Sequence, residues 1–241
     1  MSTHLNHVVV TGASGDIGAA VVAACLERGA EVLAQYRTRK DRLSDINVRT
    51  GNLIPVQLDL TEPGAPRALA ESIPLHWTGV DLLVNSVGGA RPTRFADITD
   101  DEWHACRRLN VDVPFFVLRE LLKPLEKAGG SVVNLSSVAA LTGGSFGPHY
   151  AANKAAVIGL TRSAARSLGP QGIRVNCVAP GPVASAMTES LDPHTLDALV
   201  SATALHRIVH PTEVATTILN LATSPAITGQ TLVIDGGRFL H

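Results

Sequence analysis

The run HVVVTGASGDIG at residues 7–18 limits the possible folds more than any other stretch of the chain. Residues 7–11 are rich in β-branched side chains and read as a buried strand. A glycine-rich turn follows, and an apolar helical pattern then continues through Ala19, Val22, Ala23 and Leu26. Strand, turn and helix in that order aim backbone N–H groups and the positive end of a helix dipole at one point, which suits a phosphate. The glycines, Gly12, Gly15 and Gly18, do not follow the common GxGxxG spacing. Taken alone, the segment is equally compatible with a plain turn.

The remainder of the chain repeats the alternation. Strand-like runs occur at 30–36, 53–58, 80–84, 131–135, 173–177 and 231–234, with helical patterns at 62–72, 100–126 and 150–168. An alternating βαβ order predicts an α/β fold, a doubly wound parallel sheet of about seven strands with helices on both faces. No repeat, low-complexity tract or linker interrupts it, so residues 1–241 read as a single domain. With 45% hydrophobic and 17% charged residues the chain reads as globular. A net charge of −1 leaves no electrostatic footprint for nucleic acid or an anionic membrane. No apolar run reaches the length of a membrane span, and the opening MSTHLNHVVV lacks a signal-peptide pattern. The cysteines, Cys25, Cys106 and Cys177, are odd in number and far apart, which argues against a disulfide framework and for a reducing, cytoplasmic setting.

Chemistry concentrates in SSVAALTGGSFGPHYAANK at 136–154. Tyr150 and Lys154 are four residues apart and stack on one helix face. A lysine ammonium beside a phenol favours the phenolate and lowers a pKa that is ordinarily about 10. Ser137 ends a strand thirteen residues before the tyrosine, where its hydroxyl can reach the same point. Such a group can bind a carbonyl oxygen and pass it a proton; the same spacing also arises on ordinary surface helices. The second strand ends at Gln35 and Tyr36 without the acid that a ribose-binding unit usually offers there. Arg37, Arg39 and Lys40 follow, either a clamp for the 2′-phosphate of NADP or a solvated basic loop.

Together these segments resemble the short-chain dehydrogenases/reductases over essentially the whole chain. TGASGDIG is similar to the family's cofactor turn, NSVG at 85–88 to its NNAG segment, and YAANK to its tyrosine–lysine signature. Asn110 in RRLNVDVPFF matches a further catalytic position, PGPVASAM the segment that meets the nicotinamide, and ITGQTLVIDGG the C-terminal strand. The resemblance implies Asn110, Ser137, Tyr150 and Lys154 as the catalytic set. Tyr150 would be the general acid or base, Lys154 would lower its pKa and hold the nicotinamide ribose, Ser137 would polarise the substrate oxygen, and Asn110 would hold a water leading from Lys154 to solvent. Bound NADP(H) would contact Gly12, Ser14, Gly15, Asp16, Ile17, Gly18 and Arg37. Asp59 would take the adenine amine, with Leu60 beside it; Asn85 and Gly88 would flank the adenine ribose. Pro180, Gly181, Val183 and Ser185 would lie at the nicotinamide.

The implied activity is interconversion of a ketone and a secondary alcohol with NADP(H), nearest in look to 3-oxoacyl-(acyl-carrier-protein) reductases. Those enzymes tend to carry basic residues where this chain has Ala128 and Gln171, which argues against a carrier-bound substrate. The competing readings are an NAD-dependent alcohol dehydrogenase of the same family and a dinucleotide sensor without turnover. The intact catalytic set favours an enzyme. Residues 182–205 correspond to a substrate lid, with Met187 and Leu191 as apolar contacts. Small-molecule substrates and a homotetramer (or homodimer) are the expected partners, and no metal is expected from the His206/His210 pair. One departure stands out. The middle glycine of the family's cofactor turn aligns with Asp16, whose carboxylate would repel a pyrophosphate unless its side chain points away.

Overall fold

The computed structural model describes residues 5–38, 41–46, 52–185 and 192–240; Arg39, Lys40, Met187 and Leu191 lie outside these. Among the described residues a single sheet has seven strands in the order β3-β2-β1-β4-β5-β6-β7, every pair parallel. The strands are β1 (His7–Thr11), β2 (Glu31–Tyr36), β3 (Leu53–Gln57), β4 (Leu82–Asn85), β5 (Ser131–Leu135), β6 (Arg174–Pro180) and β7 (Thr231–Ile234). At one end of the sheet Ala34 of β2 stands in register with Pro55 of β3.

Strand periodicity explains the layers. Val8 and Val10 of β1 enter a core with Val21 and Val22 of α1 (Asp16–Glu27) and with helix 211–223. Val9, between them, joins Leu33, Leu83 and Val132 in a second core on the opposite face. Alternate residues of one strand thus feed two helical layers, which is why β4 and β5 are buried at every position. The second core is closed by the helices of residues 65–128 and the first by α1 and helix 211–223.

The helical pattern expected at 62–72 is α3 (Ala65–Glu71), preceded by the short α2 (Asp41–Asp45). The pattern expected at 100–126 divides into α4 (Asp100–Arg107), a π turn (Arg108–Asp112), α5 (Val113–Glu120) and α6 (Leu122–Ala128). Pro114 brings no N–H for the carbonyl four residues back, so regular pairing loosens there. After α7 (Ala139–Thr142), the long α8 (Pro148–Leu168) starts on a proline and runs through Tyr150 and Lys154. The last helices are α9 (Pro193–Ser201) and α10 (Pro211–Thr223). No helix of the described residues is long and apolar enough to cross a membrane.

Candidate active site

The site lies at the carboxyl ends of the strands, where the strand order reverses between β1 and β4. The turn after β1 is tightly built. Gly12 has φ +62°, and a Cβ there would lie 2.9 Å from the Ser86 carbonyl carbon. A Cβ on Gly18 would fall 2.2 Å from the Gly12 carbonyl oxygen, so this glycine lets α1 close onto the turn. Gln35, wholly inside the fold at the end of β2, splints the same turn. Its Oε1 accepts from the Gly12 N–H at 2.9 Å and its Nε2 donates to the Leu58 carbonyl at 2.7 Å. Sequence reading did not single out Gln35; a lone polar residue closing an apolar strand was the available signal.

Beside the turn is a cleft of about 260 Å³. Gly12, Ser14 and Gly15 line it from the turn, Arg37 from the end of β2, Asp59 and Leu60 after β3, and Gly88 after β4. Asp59 accepts from the Thr61 hydroxyl at 2.6 Å and the Thr61 N–H at 3.0 Å. The hydroxyl, then the backbone bond and the nearby Arg37 cation, hold its carboxyl below the usual range. The other expected cofactor residues lie elsewhere. Ile17 packs against the first core, and Gly18 faces Gly12. Asn85 turns inward and donates to Asn134 Oδ1 at 2.9 Å; Asn134 in turn donates to Thr161 at 3.0 Å. Asp16 does not line the cleft; its carboxylate is ion-paired with Arg42 of α2.

The four residues expected to form the catalytic set come from three elements. Ser137 follows β5, and its hydroxyl accepts from the Ala139 N–H at 3.1 Å while bonding the Tyr150 phenol. Tyr150 sits in the first turn of α8 with the Phe146 ring 5.3 Å away. Lys154, one turn on, is 3% exposed, and its Nζ donates to the Leu135 carbonyl at 2.9 Å and lies 5.7 Å from the Tyr150 ring centroid. Asn110 occupies the π turn. Its Nδ2 donates to the Cys106 carbonyl at 2.9 Å and the Gly89 carbonyl at 2.8 Å, and its Oδ1 accepts from the Gly89 N–H at 3.1 Å. The side chain thus satisfies a helix carbonyl and at the same time anchors the turn after β4.

Gly88 joins the two halves. A Cβ there would stand 2.6 Å from Lys154 Nζ and 2.9 Å from Asn110 Oδ1. Only a bare backbone lets the cleft wall, the lysine and the asparagine meet. Cys106 was also missed as a site neighbour: its thiol, pushed up by burial, takes hydrogen bonds from Asn153 and Asn110.

The electrostatics differ from the expectation of a depressed tyrosine. Burial pushes the Tyr150 phenol up, the Ser137 hydrogen bond opposes this, and Cys106 adds to the rise. Burial likewise brings Lys154 down to about 8, partly offset by Cys177 and Cys106. Desolvation is the leading cause in both cases, so both groups are held toward their neutral forms. At pH 7 the phenol keeps its proton and the lysine is still mainly charged.

At the C-terminal side, Gly181 follows β6, its N–H bonded to the Ile234 carbonyl at 2.9 Å, and Val183 bridges to Val209. Pro180 ends β6, and Ser185 closes the described segment. His206 has φ +50° in a turn and His210 precedes α10, so the two do not share a helix face. Among the described residues no three potential ligands gather around a point. His149 is wholly buried, and neither ring nitrogen has a partner among the described residues.

A parallel sheet with a glycine-rich turn at its strand-order reversal, and a Ser–Tyr–Lys group beside that turn, defines a class of dinucleotide-type α/β enzyme. Comparison with known proteins narrows it. The family described as enoyl-(acyl carrier protein) reductase matches residues 12–238. Nodulation protein G of Rhizobium sp. (strain N33) is 33% identical over 95% of each chain. The 3-oxoacyl-[acyl-carrier-protein] reductase of Synechocystis sp. is 35% identical over 96% of each. The crystal structure of the 3-oxoacyl-[acyl-carrier protein] reductase from Brucella melitensis superposes with a TM-score of 0.91 at 32% identity, covering 99% of this chain and 93% of the other. The chain therefore belongs to the short-chain dehydrogenase/reductase family of oxidoreductases, and within it is similar to 3-oxoacyl-(acyl-carrier-protein) reductases.

Proposed function

We propose that the chain interconverts a ketone, of 3-oxoacyl or similar type, and a secondary alcohol with NADP(H). The observation that carries this reading is the meeting of the cleft with the Ser137–Tyr150–Lys154–Asn110 group at Gly88. The residues fit a dinucleotide: the turn at Gly12 is a cradle that a Cβ would fill, and Asp59 and Leu60 lie across the cleft from it. Arg37 at the cleft, with no acid ending β2, favours the 2′-phosphate of NADP over the free ribose of NAD.

A nicotinamide held beside Lys154 would supply the hydride. Ser137 and Tyr150 present two hydroxyls to the carbonyl oxygen and fix its direction. Tyr150 gives that oxygen its phenolic proton in reduction and takes it back in oxidation. The Lys154 cation stabilises the phenolate left behind. Asn110 holds the turn that carries Gly88, and so holds the cleft against the lysine.

Residues 182–205 serve as the substrate lid in this reading, with α9 as its described part. Phe115 and Phe116 of α5 are exposed, which supports assembly as a homotetramer (or homodimer). The three cysteines are free and buried, in keeping with a cytoplasmic setting.

Fluorescence titration of the purified protein tests the cofactor, with NADPH expected to bind at least about tenfold more tightly than NADH. A preference for NADH would select the NAD-dependent dehydrogenase instead. Tyr150→Phe is expected to lose turnover of a 3-oxoacyl thioester by on the order of 10²–10⁴-fold with cofactor affinity unchanged. Retained turnover would remove Tyr150 from the mechanism. Absence of turnover in the wild type, with cofactor affinity intact, would favour the sensor.

A further inference from the structure

Asp16 is the first residue of α1, directly after Gly15, which lines the cleft. Its charge agrees with the dipole of its own helix but has the wrong sign for a phosphate cradled at that helix end. The structure supplies a counter-charge. Arg42, projecting from α2, forms an ion pair with the Asp16 carboxylate. Both side chains remain partly in solvent, at 41% and 36% exposure, so the pair contributes little to folding stability. Its consequence is electrostatic. With Arg42 in place, the mouth of the phosphate turn carries no net charge from Asp16, and the charged side chains that line the cleft are the Arg37 cation and the Asp59 carboxylate coupled to it.

We propose that Arg42 is a specificity-determining residue for the cofactor: by neutralising Asp16 it permits an acid in the phosphate turn and preserves the site's preference for the more highly charged dinucleotide. This rests on the reading of the cleft as an NADP(H) site. The carboxylate without its partner repels every phosphate, and it repels the cofactor carrying an additional 2′-phosphate more strongly.

The test is a double-mutant cycle of dissociation constants for NADPH and NADH, read by fluorescence titration at low and high salt. Arg42→Gln is expected to weaken NADPH binding by about tenfold and NADH by less, with the deficit shrinking at high salt. Asp16→Asn alone is expected to bind NADPH as tightly as the wild type or a few-fold tighter. The double variant is expected to return to within about threefold of the wild type, because removing the acid removes the need for its partner. Arg42→Gln binding like the wild type would overturn the proposal. So would a double variant as weak as Arg42→Gln, which would make Arg42 a direct phosphate ligand. Thermal midpoints of all four proteins are expected to agree within a few degrees, which separates charge compensation from loss of fold. A wild type that prefers NADH would refute the NADP reading, while rescue of Arg42→Gln by Asp16→Asn, measured with NADH, would still report on the charge pair.

Discussion

Lys154 carries an ammonium in a place that water barely reaches. Its Nζ donates to the strand-end carbonyl of Leu135, and burial brings its pKa from 10.5 to about 8. Between those two values the unfolded chain holds more protons than the folded one, so stability rises as pH climbs from about 8 to about 10.5. The gain amounts to about 3 kcal/mol if the full difference is realised. Cys25, pushed up to about 12 by burial, acts in the opposite direction above pH 9. Lys154→Met isolates the lysine from that background. The variant is expected to be inactive and folded, and the difference between its denaturation midpoint and that of the wild type is expected to shrink as pH rises through this window. Parallel midpoint curves for the two proteins would contradict a depressed lysine. Tyr150 and Lys154 were legible from their spacing, and Ser137 and Asn110 from the motifs around them. The direction of the tyrosine shift was not, because it depends on how much solvent the assembled fold removes from each group.

At the scale of elements, helix ends show how local chemistry is reused. Glu213, in the first turn of α10, accepts from the His210 N–H at 2.9 Å and makes two 2.7 Å bonds to the Arg207 guanidinium. The Arg207 pairing, followed by the backbone bond, lowers its carboxyl to about 2. Glu213→Ala is expected to lower the denaturant midpoint by the equivalent of about 1 kcal/mol, since half the pair faces solvent. A depressed carboxyl stabilises the fold above its unfolded pKa and loses that contribution as pH falls from about 4.5 toward about 2. The mutational deficit should therefore shrink in acid and be gone only below about pH 2, and urea titrations at pH 7 and pH 3 would read it as a partial loss. Strands β1, β5 and β7 were placed at their observed bounds by β-branched content alone. The break of the 100–126 helical pattern into α4, a π turn and α5 was not. Pro114 marked the region, but the extra residue in the turn is paired by the Asn110 side chain, a partner that periodicity does not register.

For the molecule as a whole, binding and folding share the same strand ends. The cleft draws on loops after β1, β2, β3 and β4, so a ligand seated there ties together segments more than seventy residues apart in sequence. NADPH at about a hundred times its dissociation constant is expected to add about 2.7 kcal/mol, a rise of roughly 5–10 °C in thermal midpoint for a chain of this size. A differential scanning measurement without any shift would remove the cleft as the cofactor site. The parallel sheet was legible in the alternating pattern; the strand order and which loops share the cleft were not, because only the placement of β4 between β1 and β5 sets the loop after it against both the Gly12 turn and Lys154.

Pro55 carries a consequence beyond the sheet's own pairing. A sheet that does not close on itself leaves two edges with backbone groups free to recruit a foreign strand, and each edge is an aggregation hazard. On the β3 side a proline interrupts the row of donors that such a recruit would need. On the β7 side the strand is only four residues long and runs straight into Asp235, Gly236 and Gly237. The two flanks are therefore guarded by different means, one by a missing proton and one by brevity. Replacing Pro55 would restore the missing donor on an edge strand one residue longer than the one on the other flank.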